Sequence, residues 1–150
     1  PFNAFMFIQG LETLALRMRE HCSNAEKVAQ YLTNHDSVEK VIYPSVMEGY
    51  AKERADKYLT RGNGGLMGFE IKGGVDAGKK FINALEMVYH VANIGDSRSL
   101  AIHPASTTHS QLSPEELEST GISPSFVRLS IGLEHIDDII ADYEQALSKI

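Results

Sequence analysis

The stretch "ANIGDSRSLAIHPASTTHSQLSPEE", residues 92–116, gathers hydroxyls, two histidines, an arginine and an aspartate between two apolar segments. Such a density of polar groups belongs near an active site, and each reaction class it could serve has a spacing to meet. His90, His103 and His109 are 13 and 6 residues apart, which fits neither the helical i,i+4 pair nor the strand alternation that metal sites use. They read as hydrogen-bonded structural histidines, and no metal site is expected. "GDSRS" lacks the G-x-S-x-G elbow of a serine hydrolase. Cys22, inside a helical pattern, reads as a small packed core residue rather than a nucleophile. "RGNGGLMG" follows a helix and opens a strand, the reverse of a phosphate-cradling loop, so it is a turn.

Arg128 is of another kind. In "SFVRLSIG" the alternation sets Val127, Leu129 and Ile131 on one face and Phe126, Arg128 and Ser130 on the other. A guanidinium among apolar neighbours cannot sit unpaired, because burying its charge costs several kcal/mol on the order of a broken ion pair. Two readings stay open. Arg128 pairs with an internal carboxylate such as Asp96 or Glu134, or its fork is left for the carboxylate of a substrate.

The elements that must position these groups are legible from periodicity. Residues 1–33 carry apolar residues at helical spacing, with Asn3 as N-cap and a bend at Gly10. Their first third (Phe2, Phe5, Met6, Phe7, Ile8) is apolar on most sides and needs cover on most sides. "SVEKVIY" is a strand stopped by Pro44. "SVME" reads as a capping box, Ser45 with Glu48, opening a helix that runs to about Leu59. "LMGFEIKG" is a strand ended by Gly73 and Gly74. An amphipathic helix follows with Phe81, Ile82 and Leu85 inward. Short strands fall at "MVYHVA" and "SLAIH", and "SPEE" is a second capping box, its helix closed by Gly121. The strand bearing Arg128 leads to a terminal helix with Ile136, Ile139, Ile140, Tyr143 and Leu147 on one face. This pattern makes an α+β domain, helices packed on one face of a small sheet.

Composition closes off other classes. The net charge is −6, and a phosphate-binding face would need a basic surface, so no nucleic-acid partner is expected. No apolar run approaches the roughly 20 residues of a membrane span, and no signal peptide opens the chain, so neither a membrane nor a secreted setting is expected. A single cysteine fits a reducing cytoplasm. The chain starts at Pro1 and enters a helix at once, which reads as a piece of a longer protein.

The segment "VANIGDSRSLAIHPASTTHSQLSPEELESTGISPSFVRLSIGLEHIDDIIADYEQAL" resembles the C-terminal domain of the Cys/Met-metabolism pyridoxal-phosphate enzymes. The opening "PFNAFMFIQGLETLALRMREHCSNA" is similar to the helix that leads from their large cofactor domain into the small one. "HPASTTH" and "VRLSIGLE" are the specific motifs, and the branch most resembled is that of the O-acetylhomoserine sulfhydrylases. The resemblance implies the small C-terminal domain of a fold-type I transferase, residues 34–150, with a mostly antiparallel sheet. A long interdomain helix, residues 1–33, would precede it.

It also implies a role for the polar stretch. The arginine of the "VRLSIG" motif, here Arg128, anchors the α-carboxylate of the amino-acid substrate. Asn93 stands where many members have a serine that also contacts that carboxylate, and Thr108 is a further lining residue. The Schiff-base lysine of the family lies in a Ser-x-Thr-Lys context, which none of these lysines has, so no catalytic and no cofactor-binding residue is expected in this chain. The parent would be a pyridoxal 5'-phosphate enzyme, homotetrameric, cytoplasmic and acting in methionine biosynthesis. It would replace the γ-substituent of O-acetyl-L-homoserine with sulfide or a thiol, while the 150-residue chain alone would be inactive. Two rivals remain: γ-elimination or transsulfuration on the same fold (methionine γ-lyase, cystathionine γ-synthase or γ-lyase), and a free-standing, non-catalytic interaction domain.

Overall fold

A computed structural model describes residues 1–150, the side chains of Pro114 and Glu118 excepted. Its centre is a five-stranded sheet in the order β1-β2-β5-β4-β3. The strands are β1 (Val38–Ile42), β2 (Leu66–Ile71), β3 (Tyr89–His90), β4 (Leu100–Ile102) and β5 (Phe126–Ser130). Three of the four pairings are antiparallel, and only the short β3 runs parallel to its neighbour β4. β5, the strand of Arg128, is central, with Gly68 of β2 on one side of Arg128 and Ile102 of β4 on the other.

The alternation in β5 is the one its sequence dictates. Val127, Leu129 and Ile131 are buried with Phe69, Ile71 and Ala101 in one core, covered by α2 (Leu14–Thr33), α4 (Gly74–Ala84) and α6 (Ile136–Leu147). Each covering helix contributes its apolar stripe: Ala25, Val28, Ala29 and Leu32 from α2, Phe81 and Ile82 from α4, and Ile139, Tyr143 and Leu147 from α6. Removing these side chains from water is the main stabilising term, about 25 cal/mol per Å² of apolar surface. The opposite face presents Phe126, Arg128 and Ser130. Gly68 is needed there, since a Cβ on it would stand 2.2 Å from the Phe126 ring.

Several local expectations are corrected. Asn3 does not cap the first helix: α1 (Phe2–Glu12) has Pro1 at its N-cap and no side-chain cap. The helix does not give way at Gly10 but at Thr13, where φ −106° and ψ 4° separate α1 from α2. Arg17 bridges the break by bonding Thr13 Oγ1 and, at 2.9 Å, the Gly10 carbonyl. The "SVME" box does not form. Pro44 fixes a 3-10 turn over Pro44–Val46, so the chain enters α3 (Gly49–Tyr58) only at Gly49, which turns it with φ +57°. Ser45 Oγ is left buried without a partner. The second box is real: Glu116 N donates to Ser113 Oγ at 3.3 Å and Ser113 N to the Glu116 carboxylate at 2.8 Å, opening α5 (Pro114–Ser119). Cys22 is half-buried beside Gly62 rather than in the core. His21 and Asn24 are the polar residues of the same helix that are buried.

Candidate substrate-carboxylate site

Arg128 stands on the face of β5 away from the helices, and among the described residues its guanidinium has one hydrogen-bond partner. Its Nη2 donates to the backbone carbonyl of Asn93 at 3.0 Å. Its Nε is buried and, among the described residues, has no hydrogen-bond partner. The two carboxylates that could have neutralised it are engaged elsewhere. Asp96 accepts from Arg98, through the backbone N at 3.0 Å and through Nε and Nη2 at 3.3 Å each. Those bonds from Arg98 hold the Asp96 carboxyl below its ordinary range. Glu134 accepts from Ser99 N at 2.6 Å and Ser99 Oγ at 2.9 Å. Among the described residues, no salt bridge reaches Arg128. An arginine fork on a sheet face, with a buried N–H lacking an acceptor, is suited to taking a carboxylate from outside the chain.

The loop between β3 and β4 carries Asn93 to this position. Gly95, at φ +76°, donates its N–H to Ser130 Oγ at 3.2 Å, so the loop lies against the strand two residues beyond Arg128. Asn93 itself is exposed, and its backbone, not its side chain, meets Arg128. Thr108 is exposed and its hydroxyl bonds the neighbouring His109 Nδ1 at 2.9 Å. Among the described residues no hydrogen bond joins it to Arg128 or Asn93, so two of the three expected residues are joined directly and Thr108 is bonded to neither.

A cleft of about 230 Å³ opens beside the end of β5, lined by Leu14, Arg17, Met18, His21, Ile94 and Ser130 among others. His21 was not anticipated as part of this region. It is buried, and its Nδ1 lies 2.6 Å from the Ile131 carbonyl. Asn24, one turn further along α2, donates to the carbonyls of Gly132 at 3.1 Å and Glu134 at 3.0 Å. A signal was present in the sequence: positions 21 and 24 fall in register with Ala25, Val28 and Leu32, so both polar side chains lie on the buried stripe.

Of the three histidines in the polar region, His103 is the structural one. It is fully buried, bonded through Nδ1 to Ser106 Oγ and through Nε2 to the Pro124 carbonyl, each at 2.8 Å. Burial pushes its pKa below the ordinary value. His90 is exposed.

The sequence profile of the Cys/Met-metabolism pyridoxal-phosphate-dependent enzymes matches residues 1–148, and the chain belongs to that family. Its relatives narrow the comparison. It is 55% identical to an O-acetyl-L-homoserine sulfhydrylase of Leptospira meyeri, over 100% of this chain and 34% of that protein. It is 43% identical to an L-methionine gamma-lyase of Fusobacterium nucleatum, over 100% of this chain and 38% of that protein. A Campylobacter jejuni crystal structure assigned as an O-acetylhomoserine (thiol)-lyase, holding pyridoxyl-lysine monophosphate, superposes with a TM-score of 0.89 at 46% identity. That match covers 99% of this chain and 35% of the other. The chain thus spans about a third of the length of these relatives.

The residues present do not build a seat for pyridoxal phosphate on their own. No lysine lines the cleft beside β5. Every lysine is exposed except Lys52, which is paired with Asp56. What the chain places there is the guanidinium of Arg128, not the amine that would hold the cofactor.

Proposed function

We propose that this chain is the C-terminal part, residues 34–150 with the interdomain helix 1–33, of a pyridoxal-phosphate-dependent enzyme that carries out γ-replacement on O-acetyl-L-homoserine. Sulfide or a thiol is the second substrate, and the chain's contribution is to hold the α-carboxylate of the amino acid. The observation that carries this reading is the state of Arg128: among the described residues its buried Nε has no partner and no carboxylate forms a salt bridge with it. Arg128 binds the carboxylate, and the Asn93 carbonyl steadies one arm of the fork so that the other nitrogens are free to meet it. The Asn93 side-chain amide is a further donor to the same carboxylate. Fixing one end of a substrate orients its reacting end, which supplies rate by proximity alone. Thr108 is kept as a lining residue on the strength of the family motif only. The parent is proposed to be a cytoplasmic homotetramer built from dimers that share active sites.

The sulfhydrylase relative at 55% identity supports γ-replacement over its rival. The γ-lyase relative, at 43%, supports γ-elimination as the second reading. Consumption of the amino acid without added sulfide or thiol, at a rate matching that with them, would decide for elimination.

Arg128→Leu in the full-length enzyme tests the clamp. A charge-assisted bidentate contact contributes about 1.5–3 kcal/mol, so amino-acid affinity is expected to fall at least about tenfold, with thermal stability nearly unchanged. Arg128→Lys is expected to recover little, since a point charge does not reproduce the planar fork. A large loss of stability with unchanged affinity per folded molecule would overturn the assignment.

A further inference from the structure

The loop 93–99 is fastened to β5 and its continuation at every second residue. The Asn93 carbonyl accepts from Arg128 at 3.0 Å, and Gly95 N donates to Ser130 Oγ at 3.2 Å. The Ser97 carbonyl accepts from Leu133 N at 2.8 Å. Ser99 closes the series by donating both its N–H, at 2.6 Å, and its hydroxyl, at 2.9 Å, to the carboxylate of Glu134. Of these fastenings the two at the ends involve charged side chains, Arg128 at Asn93 and Glu134 at Ser99, and charge-assisted hydrogen bonds are the strong ones. Ser99 is fully buried, so its N–H has no water to turn to if Glu134 is removed.

The close approach is built in from both sides. Ser99 Oγ also accepts from Gly132 N at 2.9 Å. A Cβ on Gly132 would stand 2.3 Å from Glu134 Oε2, 2.4 Å from Ser99 N and 2.5 Å from the Arg98 carbonyl carbon. Two of these are backbone atoms that cannot swing aside, so the clasp closes only over a glycine. Asn24 of α2 grips the Gly132 and Glu134 carbonyls from the other direction. The Glu134 end is therefore the fixed one, and Ser99 is held to it. The Asp96–Arg98 pair lies within the loop, and Arg98 in turn stands over the Tyr89 ring of β3, 4.5 Å from its centroid, an exposed contact weaker than the buried clasp at Ser99.

We propose that Glu134 is a positioning residue for the substrate-carboxylate clamp: by holding Ser99 it fixes the loop whose other end sets Asn93 against Arg128. The inference rests on the reading of Arg128 as the clamp. Without Glu134, Ser99 loses two hydrogen bonds, and the loop keeps a charge-assisted fastening only at its Asn93 end.

The test is steady-state kinetics of the full-length enzyme with O-acetyl-L-homoserine and sulfide, on Glu134→Ala, Glu134→Gln, Arg128→Lys and the double variant Glu134→Ala/Arg128→Lys. Glu134→Ala is expected to raise the KM for the amino acid about tenfold, with kcat and the KM for sulfide changed less than about twofold. Glu134→Gln keeps an acceptor for Ser99 N and is expected to recover most of the loss. On the Arg128→Lys background, Glu134→Ala is expected to add less than about twofold, because both changes act through one contact. An effect that multiplies in full on that background, or that lowers kcat and alters both KM values alike, would make Glu134 a residue of the fold alone and overturn the proposal. Should Glu134→Ala fail to fold, Ser99→Ala takes its place in the same comparison, with the same outcomes deciding. An unchanged amino-acid KM in Arg128→Lys by itself defeats the clamp reading, and that arm tells the two failures apart.

Discussion

At the scale of single residues, the buried polar side chains organise more of this chain than its exposed ones. Asp142 of α6 is the strongest case. Its Oδ1 accepts from Glu86 N at 2.9 Å and its Oδ2 from Met87 N at 3.0 Å and Val88 N at 2.9 Å. One carboxylate thus satisfies three successive backbone donors where the chain leaves α4 for β3. Asp142→Asn keeps one oxygen and sets a second N–H against donors, so it is expected to cost about 3 kcal/mol of stability, read by urea unfolding of the full-length protein. His103 makes a second case, with a pH signature. Its folded pKa lies below the unfolded value because burial disfavours the charged ring. The unfolded chain therefore binds the proton first, and the contribution of His103 is fully present above the unfolded pKa of about 6.5 and lost as pH falls below it. The unfolding midpoint is expected to drop between about pH 7 and pH 5, with a shallower slope in His103→Gln. Arg128 was legible because an arginine inside an alternating apolar strand violates its local pattern. Asp142, His21 and Asn24 were not read, although each lies on a buried helical stripe. A polar residue in an amphipathic helix is taken as solvated unless its phase along the stripe is checked. Which backbone group it meets depends on contacts over 54 to 110 residues of sequence, and no local pattern carries that.

At the scale of elements, periodicity read the strands and the covering helices well, and errors gathered where one backbone angle decides. The capping box at "SVME" has the right letters, yet Pro44 commits Ser45 and Val46 to a 3-10 turn and Gly49 supplies a positive φ. The helix then begins past the box. The break at Thr13 likewise has no proline or glycine to announce it. Glycine carries a different message in α4. Gly78 faces His103, and a Cβ on it would stand 2.5 Å from the ring. The ring is pinned by hydrogen bonds at both nitrogens and cannot give way. Helix propensity alone counts Gly→Ala as a gain of up to about 1 kcal/mol. Here the overpacking dominates, and Gly78→Ala is expected to lose about 1–3 kcal/mol in a thermal denaturation series. Gly10→Ala, with open space around its Cβ, is the contrasting control in α1.

At the scale of the whole molecule, the distribution of apolar surface is lopsided. The sheet and its three covering helices bury a complete core, whereas no residue of α1 is buried. Phe2 and Phe7 are 72% and 73% exposed, and Met6, Ile8 and Leu11 stand out beside them. Helix propensity cannot sustain such a segment alone, because an isolated helix of 11 residues is marginal in water. Its apolar sides need a covering surface, and the relatives, about three times as long as this chain, have the length to supply one. The 150-residue chain by itself has only copies of itself to offer. It is therefore expected to self-associate in proportion to concentration and to bind a hydrophobic dye. Sedimentation velocity across a concentration series checks this, and a strictly monomeric species with no dye binding would refute it. A chain beginning at Leu14 makes the assignment specific: if α1 is the sticky element, its removal should restore a monomer while leaving the sheet's unfolding transition in place.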